Sequence, residues 1–160
     1  MPAHASISRR RLLAGHAQAL PLRTLPPGAL PENLASCTGC GQCVDACPQD
    51  ILTIRDDAVL LVPEQGECTF CNACADACAQ PVFSDSPAMQ HVAAISDACL
   101  ARRGVTCMTC RDACPESAIR FQPRAGGPFL PVLDAGLCTG CGACQAPCPA
   151  QAIRDRKSVV

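Results

Sequence analysis

The chain of 160 residues contains 16 cysteines but only four phenylalanines, and it has no tryptophan or tyrosine. This composition excludes a large core of aromatic side chains and is typical of a cross-linked or metal-bound scaffold. A membrane-spanning helix needs about 20 consecutive apolar residues. The longest aliphatic stretch, residues 58–62, ends at Pro63, so no stable membrane insertion is expected. The net charge of −1 argues against nucleic-acid binding, because the short N-terminal tail is the one basic patch and it contains no aromatic residue.

Residues 1–30 are predicted to form an extended, basic, proline-rich tail. Residues 1–24 carry four arginines and no acidic residue, whereas the rest of the chain carries nine basic and 14 acidic residues. We expect residues 21–31, which are rich in proline, to act as a stiff spacer. This spacer would hold out a partner-docking segment that consists of Arg9, Arg10, Leu12 and Leu13.

Two alternatives to docking are considered for this tail. Residues 8–13 resemble a twin-arginine export motif, but an export signal also needs an uninterrupted apolar segment and a cleavage site. In residues 15–23 that segment is interrupted by histidine, glutamine, proline and arginine, so we expect the tail to stay uncleaved. The second alternative is a basic end that is merely solvated.

The cysteines fall into four groups of four along the chain. Three groups have the spacing C-x2-C-x2-C-x3-C, and the third group has seven residues in its first gap. A proline directly follows the last cysteine of the first, third and fourth groups. The groups are Cys37, Cys40, Cys43 and Cys47; Cys68, Cys71, Cys74 and Cys78; Cys99, Cys107, Cys110 and Cys114; and Cys138, Cys141, Cys144 and Cys148.

This spacing predicts ligation of [4Fe–4S] clusters. Three thiolates two residues apart, on a tight turn, reach three corners of one cube, and the fourth cysteine is expected to start a helix that points away to a second cube. Glycines inside the first and fourth groups leave room for backbone N–H groups near the sulfur atoms: Gly39, Gly41, Gly140 and Gly142. Disulfides and zinc are the alternatives. Close cysteine triplets suit neither eight disulfide bridges nor tetrahedral zinc sites built from separated pairs.

Two β-hairpins are predicted between the cysteine groups. Residues 51–54 and 58–62 are β-rich and flank a polar turn. Residues 118–121 and 129–133 repeat this plan around a Gly-Gly-Pro turn. The first hairpin separates groups one and two, and the second separates groups three and four.

The predicted fold is therefore α+β, with two tandem bacterial ferredoxin-like modules that each hold two clusters. We place the first module at residues 31–84 and the second at residues 97–157, after the tail at residues 1–30. Residues 85–96 are predicted to be a connector. Within it, residues 88–95 are expected to form one short helix.

Sequential pairing of the groups assigns four cysteines to each of four clusters. The quartets are Cys37, Cys40, Cys43 and Cys78; Cys47, Cys68, Cys71 and Cys74; Cys99, Cys107, Cys110 and Cys148; and Cys114, Cys138, Cys141 and Cys144. A nested arrangement, which pairs group one with four and two with three, is the alternative. Cys99 is the least secure ligand, because seven residues instead of two separate it from the next cysteine. In the alternative interpretation, Cys99 is a small buried side chain and its cluster is incomplete, so the chain would hold three complete clusters.

Several stretches resemble the family of ferredoxin-type NapF proteins of bacterial nitrate-reductase operons. They are residues 8–15 and 26–27 in the tail, residues 68–74, and residues 96–101 with the unusual third cysteine group and residues 118–121. The third group narrows the choice of family, because the spacing of the other three cysteine groups occurs in many ferredoxins. One departure is Ala79, where the family often has proline, and it puts the local turn geometry in doubt.

The resemblance implies a cytoplasmic accessory protein that acts on the molybdenum-containing catalytic subunit of periplasmic nitrate reductase before export. The partner would be the cytoplasmic precursor of that subunit, and the role would be cluster assembly or electron transfer. The alternative is a general low-potential electron-transfer ferredoxin or a detached subunit of an oxidoreductase. No catalytic nucleophile or base is evident in the sequence, so we do not predict an enzyme.

Overall fold

A computed structural model describes residues 24–157 of the chain. Within this range one 3-10 helix occupies Pro31–Ser36. The three α-helices are α1 at Gln42–Asp45, α2 at Ala73–Asp76 and α3 at Thr109–Asp112. The strands are β1 at Leu52–Arg55, β2 at Ala58–Leu61, β3 at His91–Ile95, β4 at Ile119–Gln122, β5 at Leu130–Leu133 and β6 at Ile153–Lys157. This mixture of short helices and strands confirms the predicted α+β class.

Both predicted hairpins are confirmed. Strand β1 pairs with β2 in antiparallel fashion, with Leu52 opposite Leu61. Asp56 and Asp57 connect the two strands, and both have positive φ angles, of 50° and 56°. A two-residue loop with this backbone matches the twist of the strands that it joins, and aspartate tolerates the left-handed conformation. Strand β4 pairs with β5 in the same antiparallel manner.

The predicted short helix at residues 88–95 is wrong. This segment contains strand β3, which pairs antiparallel with β6 so that Ile95 lies opposite Ile153 and His91 lies opposite Lys157. The buried side chains of Val92 and Ala93 belong to the interior of the protein. A segment of this length is helical or extended according to its partners, and here the partner strand lies about 60 residues further along the chain.

The described part of the predicted spacer packs against the first module instead of projecting from it. Leu25 and Ala29 are buried in the module core. The N–H group of Leu61 donates a 2.8 Å hydrogen bond to the carbonyl oxygen of Thr24, and Ala29 forms an antiparallel bridge with Phe83. The stiff-spacer prediction is therefore wrong for residues 24–30, because apolar side chains between the prolines pack into the core of the first module. The docking residues Arg9, Arg10, Leu12 and Leu13 lie outside the described residues.

Two separate hydrophobic clusters form the interior. The cluster of the first half is built on both strands of the β1–β2 hairpin, and the cluster of the second half lies between β3, β4 and β6. Cysteine side chains are members of both clusters. The buried members are Leu25, Ala29, Cys43, Ile51, Leu52, Val59, Leu61 and Val82 in the first, and Ala93, Cys110, Ile119, Cys144 and Ile153 in the second.

Candidate iron–sulfur sites

Four cavities, which we number sites I to IV, are each bordered by four cysteines. Each site receives three cysteines from one group and a fourth from the sequentially paired group. The structure therefore brings the cysteines together in the sequential arrangement and not in the nested one. The quartets are Cys37, Cys40, Cys43 and Cys78 at site I; Cys47, Cys68, Cys71 and Cys74 at site II; Cys99, Cys107, Cys110 and Cys148 at site III; and Cys114, Cys138, Cys141 and Cys144 at site IV.

The end of helix α1 separates the third cysteine of a group from the fourth. Cys43 lies within α1 and borders site I, whereas Cys47 lies just beyond the helix and borders site II. The prediction that the fourth cysteine starts a helix is wrong here, because the helix carries the third cysteine and ends at Asp45. Helix α2 ends at the same distance before Cys78, which no proline follows, so the proline does not by itself end the helix. The same Cys-Pro pair ends the third and fourth groups.

A repeated turn follows each Cys-Pro pair. Three residues after the fourth cysteine, Asp50, Ser117 and Gln151 all have positive φ angles, of 52°, 51° and 46°. Each donates its N–H group to the carbonyl oxygen of its cysteine at 3.1 to 3.2 Å. The second group departs from this pattern, because Ala79 replaces the proline and Pro81 occupies the turn position. A proline ring locks φ near −65° and excludes that turn, so the second group departs from the turn because of Pro81, and the effect of Ala79 stays a prediction.

Backbone N–H groups donate to the sulfur atoms of three cysteines in the second half. The donors are Ala118 to Cys114 at 3.3 Å, Ala152 to Cys148 at 3.4 Å and Ala93 to Cys138 at 3.5 Å. The sequence predicted such contacts beside glycines, whereas the donors here are alanines. Two of them, Ala118 and Ala152, belong to the motif Cys-Pro-x-x-Ala-Ile, which begins at the last cysteine of the third and fourth groups and could have indicated them. Such contacts stabilise the negative charge of a thiolate.

The structure brings Cys99 to site III beside Cys107 and Cys110. The longer gap in this group folds back on itself, since Arg103 donates its N–H to the carbonyl of Cys99 at 3.0 Å and Val105 donates to Leu100 at 2.9 Å. The insertion thus leaves Cys99 within reach of the other three sulfur atoms. Ligation by Cys99 remains a prediction.

We expect Cys99→Ala to lower the iron content from about 16 to about 12 atoms per chain, because a cube then lacks one of its four thiolates. Iron and sulfide assays on anaerobically purified protein measure this loss. Cys107→Ala is the matched control, because it removes a second thiolate from the same site and should cause the same loss. A full iron content in Cys99→Ala alone would identify Cys99 as a small buried side chain.

Burial raises the pKa of several of these thiols. The pKa of Cys144 is raised to about 12, and those of Cys74 and Cys110 to about 11. In each case burial is the largest cause, and the charges of neighbouring cysteines act in the same direction. In contrast, the N–H of Gln42 lowers the pKa of the exposed Cys40. The buried thiols are protonated at neutral pH, so the binding of iron releases protons and is opposed by acid.

A buried polar network, which the sequence analysis did not anticipate, lies beside site IV. His91 donates from Nε2 to the carbonyl oxygen of Gly140 at 3.0 Å. Asp155 accepts hydrogen bonds from Thr24 Oγ1 at 2.8 Å and from the Gln145 amide at 2.5 Å. Burial raises the pKa of Asp155, although these two donors act in the opposite direction. The network ties the loop of the fourth cysteine group to β3, β6 and the segment before the first module.

Among residues 24–157 no helix is both long and apolar enough to cross a lipid bilayer.

A family model described as a 4Fe-4S dicluster domain matches the chain twice, at residues 36–82 and 104–152. The two matches coincide with the two sequentially paired halves, and the second begins after Cys99. This result confirms the prediction of two tandem ferredoxin-like modules. The boundaries of the tail and the connector stay predictions.

Curated relatives extend the similarity beyond the cysteine runs. The ferredoxin-type protein NapF of Haemophilus influenzae is 43% identical over 133 residues, which cover 80% of this chain and 76% of the relative. NapF of Escherichia coli K12 is 40% identical over 151 residues, which cover 91% and 92% of the two chains. The methylamine utilization ferredoxin-type protein MauM of Paracoccus denitrificans is 34% identical over 146 residues, which cover 77% of this chain and 65% of the relative.

These similarities confirm the resemblance that the odd third cysteine group suggested. They also agree with the geometry, in which 16 cysteines form four quartets. The chain belongs to the NapF family of ferredoxin-type proteins, with two dicluster domains whose 16 cysteines fit four [4Fe–4S] clusters.

Proposed function

We propose that this protein is a cytoplasmic iron–sulfur accessory protein that assists maturation of the molybdenum-containing catalytic subunit of periplasmic nitrate reductase. It would act on the precursor of that subunit before export, through cluster assembly or electron transfer. Membership of the NapF family supports the proposal, because the alignment with the Escherichia coli relative covers 91% of this chain. We propose an accessory role and not a catalytic one, since the cysteines that border the four cavities are the proposed cluster ligands.

The observation that carries the proposal is the grouping of the cysteines into four quartets. A [4Fe–4S] cluster bound at each quartet would accept and release one electron at a time. The thiolates of this chain would hold the iron. At site I the side chains of Ile54, Val59 and Val82 border the cavity and limit the access of water.

A general low-potential electron carrier, or a detached electron-transfer subunit, is the second candidate. The similar MauM protein supports it, because that relative is named for methylamine utilization. The relatives of this chain therefore include ferredoxin-type proteins with different names, NapF and MauM. Both candidates need the four sites, so they differ in whether the protein selects one partner.

We predict that changing Arg9 and Arg10 together to alanine weakens capture of the nitrate reductase precursor by about tenfold. Paired arginines form multiple hydrogen bonds with carboxylates, so their loss should reduce affinity for an acidic partner surface. The tagged full-length protein would be isolated from cytoplasm, and the captured precursor would be identified and quantified by mass spectrometry. The iron content should stay at about 16 atoms per chain, since no proposed ligand is changed.

Arg102→Ala with Arg103→Ala is the matched control, because it removes two arginines from the loop beside site III instead of from the tail. This control should capture the precursor normally. Equal capture by both double variants and the unmodified protein would reduce the tail to a solvated end and favour the general electron carrier. Recovery of a shortened chain from the periplasm would show that the tail is an export signal.

A further inference from the structure

The two cysteine sites of one module are linked through their helices. Helix α1 contains Cys43 of site I and is followed by Cys47 of site II, and helix α2 contains Cys74 of site II and is followed by Cys78 of site I. The two helices pack against each other. In the second module Cys110 and Cys114 connect sites III and IV in the same way. Sites I and II are therefore neighbours, and so are sites III and IV.

A direct backbone contact links the two modules. The N–H group of Cys68, which borders site II, donates a 2.8 Å hydrogen bond to the carbonyl oxygen of Cys141, which borders site IV. The path between the two sulfur atoms runs along each side chain to its backbone and crosses a single hydrogen bond. Cysteines from different modules are thus in contact at sites II and IV.

Close packing beside this hydrogen bond requires a glycine. Gly142 has a φ of +84°, and a Cβ atom placed on it would lie 2.6 Å from the Cβ of Pro63. Nonbonded carbon atoms do not approach this closely, so a side chain at residue 142 would push the modules apart. The carbonyl oxygen of Gly66 lies 3.5 Å from the same position.

A second tie joins the modules through side chains. Thr24 is held to the first module because its carbonyl oxygen accepts the N–H of Leu61. Its hydroxyl group donates to Asp155 of strand β6 at 2.8 Å. The Asp155 side chain is only 7% exposed, so solvent competes little for this hydrogen bond. The joint between sites II and IV is therefore supported from two sides.

We propose that the four sites form one electron-transfer line in the order I–II–IV–III, in which Cys68 and Cys141 are the junction between modules. The inference rests on the proposed electron-transfer role of the sites. The cysteines of neighbouring sites would hold two clusters side by side, so one electron would pass from one cluster, which would be oxidised, to the next, which would be reduced. A low-potential one-electron reductant would supply the first electron.

The order can be tested with two double variants that each leave two clusters. Cys37→Ala with Cys107→Ala would leave sites II and IV, and Cys47→Ala with Cys114→Ala would leave sites I and III. After reduction with dithionite, the electron paramagnetic resonance spectrum of the first variant should show magnetic coupling between its two clusters. The second variant should show two isolated signals. Isolated signals from the first variant, or coupled signals from the second, would overturn the order.

The junction itself can be tested by hydrogen exchange on the four-cluster protein. Gly142→Ala should raise the exchange rate of the Cys68 amide by about tenfold, because the clash with Pro63 breaks its hydrogen bond. Gly41→Ala is the matched control, since Gly41 has a φ of +83° but a Cβ atom there meets no described atom within 4 Å. It shares the backbone strain and should leave the Cys68 amide protected. Equal protection in both variants would refute the junction.

These measurements separate the junction from the proposed function. If Gly142→Ala fails to bind its clusters, the two double variants still decide the order of the sites. Magnetic coupling between sites II and IV without capture of the nitrate reductase precursor would keep the line and reject the accessory role. Capture of the precursor without that coupling would reject the line alone.

Discussion

Replacing Cys47 with alanine is expected to remove the cluster of site II and to leave the cluster of site I intact. This result would be informative because the other three cysteines of the group that contains Cys47 belong to site I. Cys47 lies beyond the end of α1 and borders site II. The iron content should fall from about 16 to about 12 atoms per chain. Alkylation of the anaerobic native protein, followed by peptide mass spectrometry, should then modify three newly released thiols: Cys68, Cys71 and Cys74.

Cys43→Ala provides the matched control, because it changes the preceding cysteine of the same group. Cys43 borders site I, so the thiols released in this variant should be Cys37, Cys40 and Cys78. Cys78 decides between the alternatives, since it should be alkylated in Cys43→Ala and protected in Cys47→Ala. Release of Cys37 and Cys40 in the Cys47→Ala variant would contradict the crossed arrangement.

Removal of the clusters is expected to unfold most of both modules. The described α-helices have four residues each, whereas isolated helices shorter than about 12 residues are marginal in water. Each described sheet has two strands, and a two-stranded sheet is marginally stable alone. Oxidation with ferricyanide in the presence of a chelator should therefore lower amide protection in the hairpins by about 100-fold, as measured by hydrogen exchange.

The amides of Val62 and Asp134 are the most informative, because they donate 2.8 Å hydrogen bonds to the carbonyl oxygens of Ile51 and Ala118, at the open ends of the two hairpins. Treatment with the chelator alone is the control, and it should preserve both the iron and the protection. Reconstitution with iron, sulfide and a thiol reductant should restore protection. If the protein retained its protection after complete loss of iron, the apolar clusters would be sufficient for folding.

Local features of the sequence determined three of the four cysteines of each site, and they determined the hairpins. The spacing within a cysteine group decides which three thiolates can meet at one site. The pair Asp56 and Asp57 specifies a tight turn by its own backbone preferences. These features depend on neighbours a few residues apart, so they could be predicted without knowledge of the rest of the chain.

The tertiary structure decided the contacts between distant segments. The segment that forms β3 is extended because β6 pairs with it, and the segment around Leu25 is buried because the first module offers it a core. The approach of Cys68 to Cys141 depends on the packing of two modules, and neither cysteine group specifies that packing by itself. Spacing within a group therefore determined three cysteines of each site, whereas long-range pairing and close packing determined the fourth cysteine and which sites are neighbours.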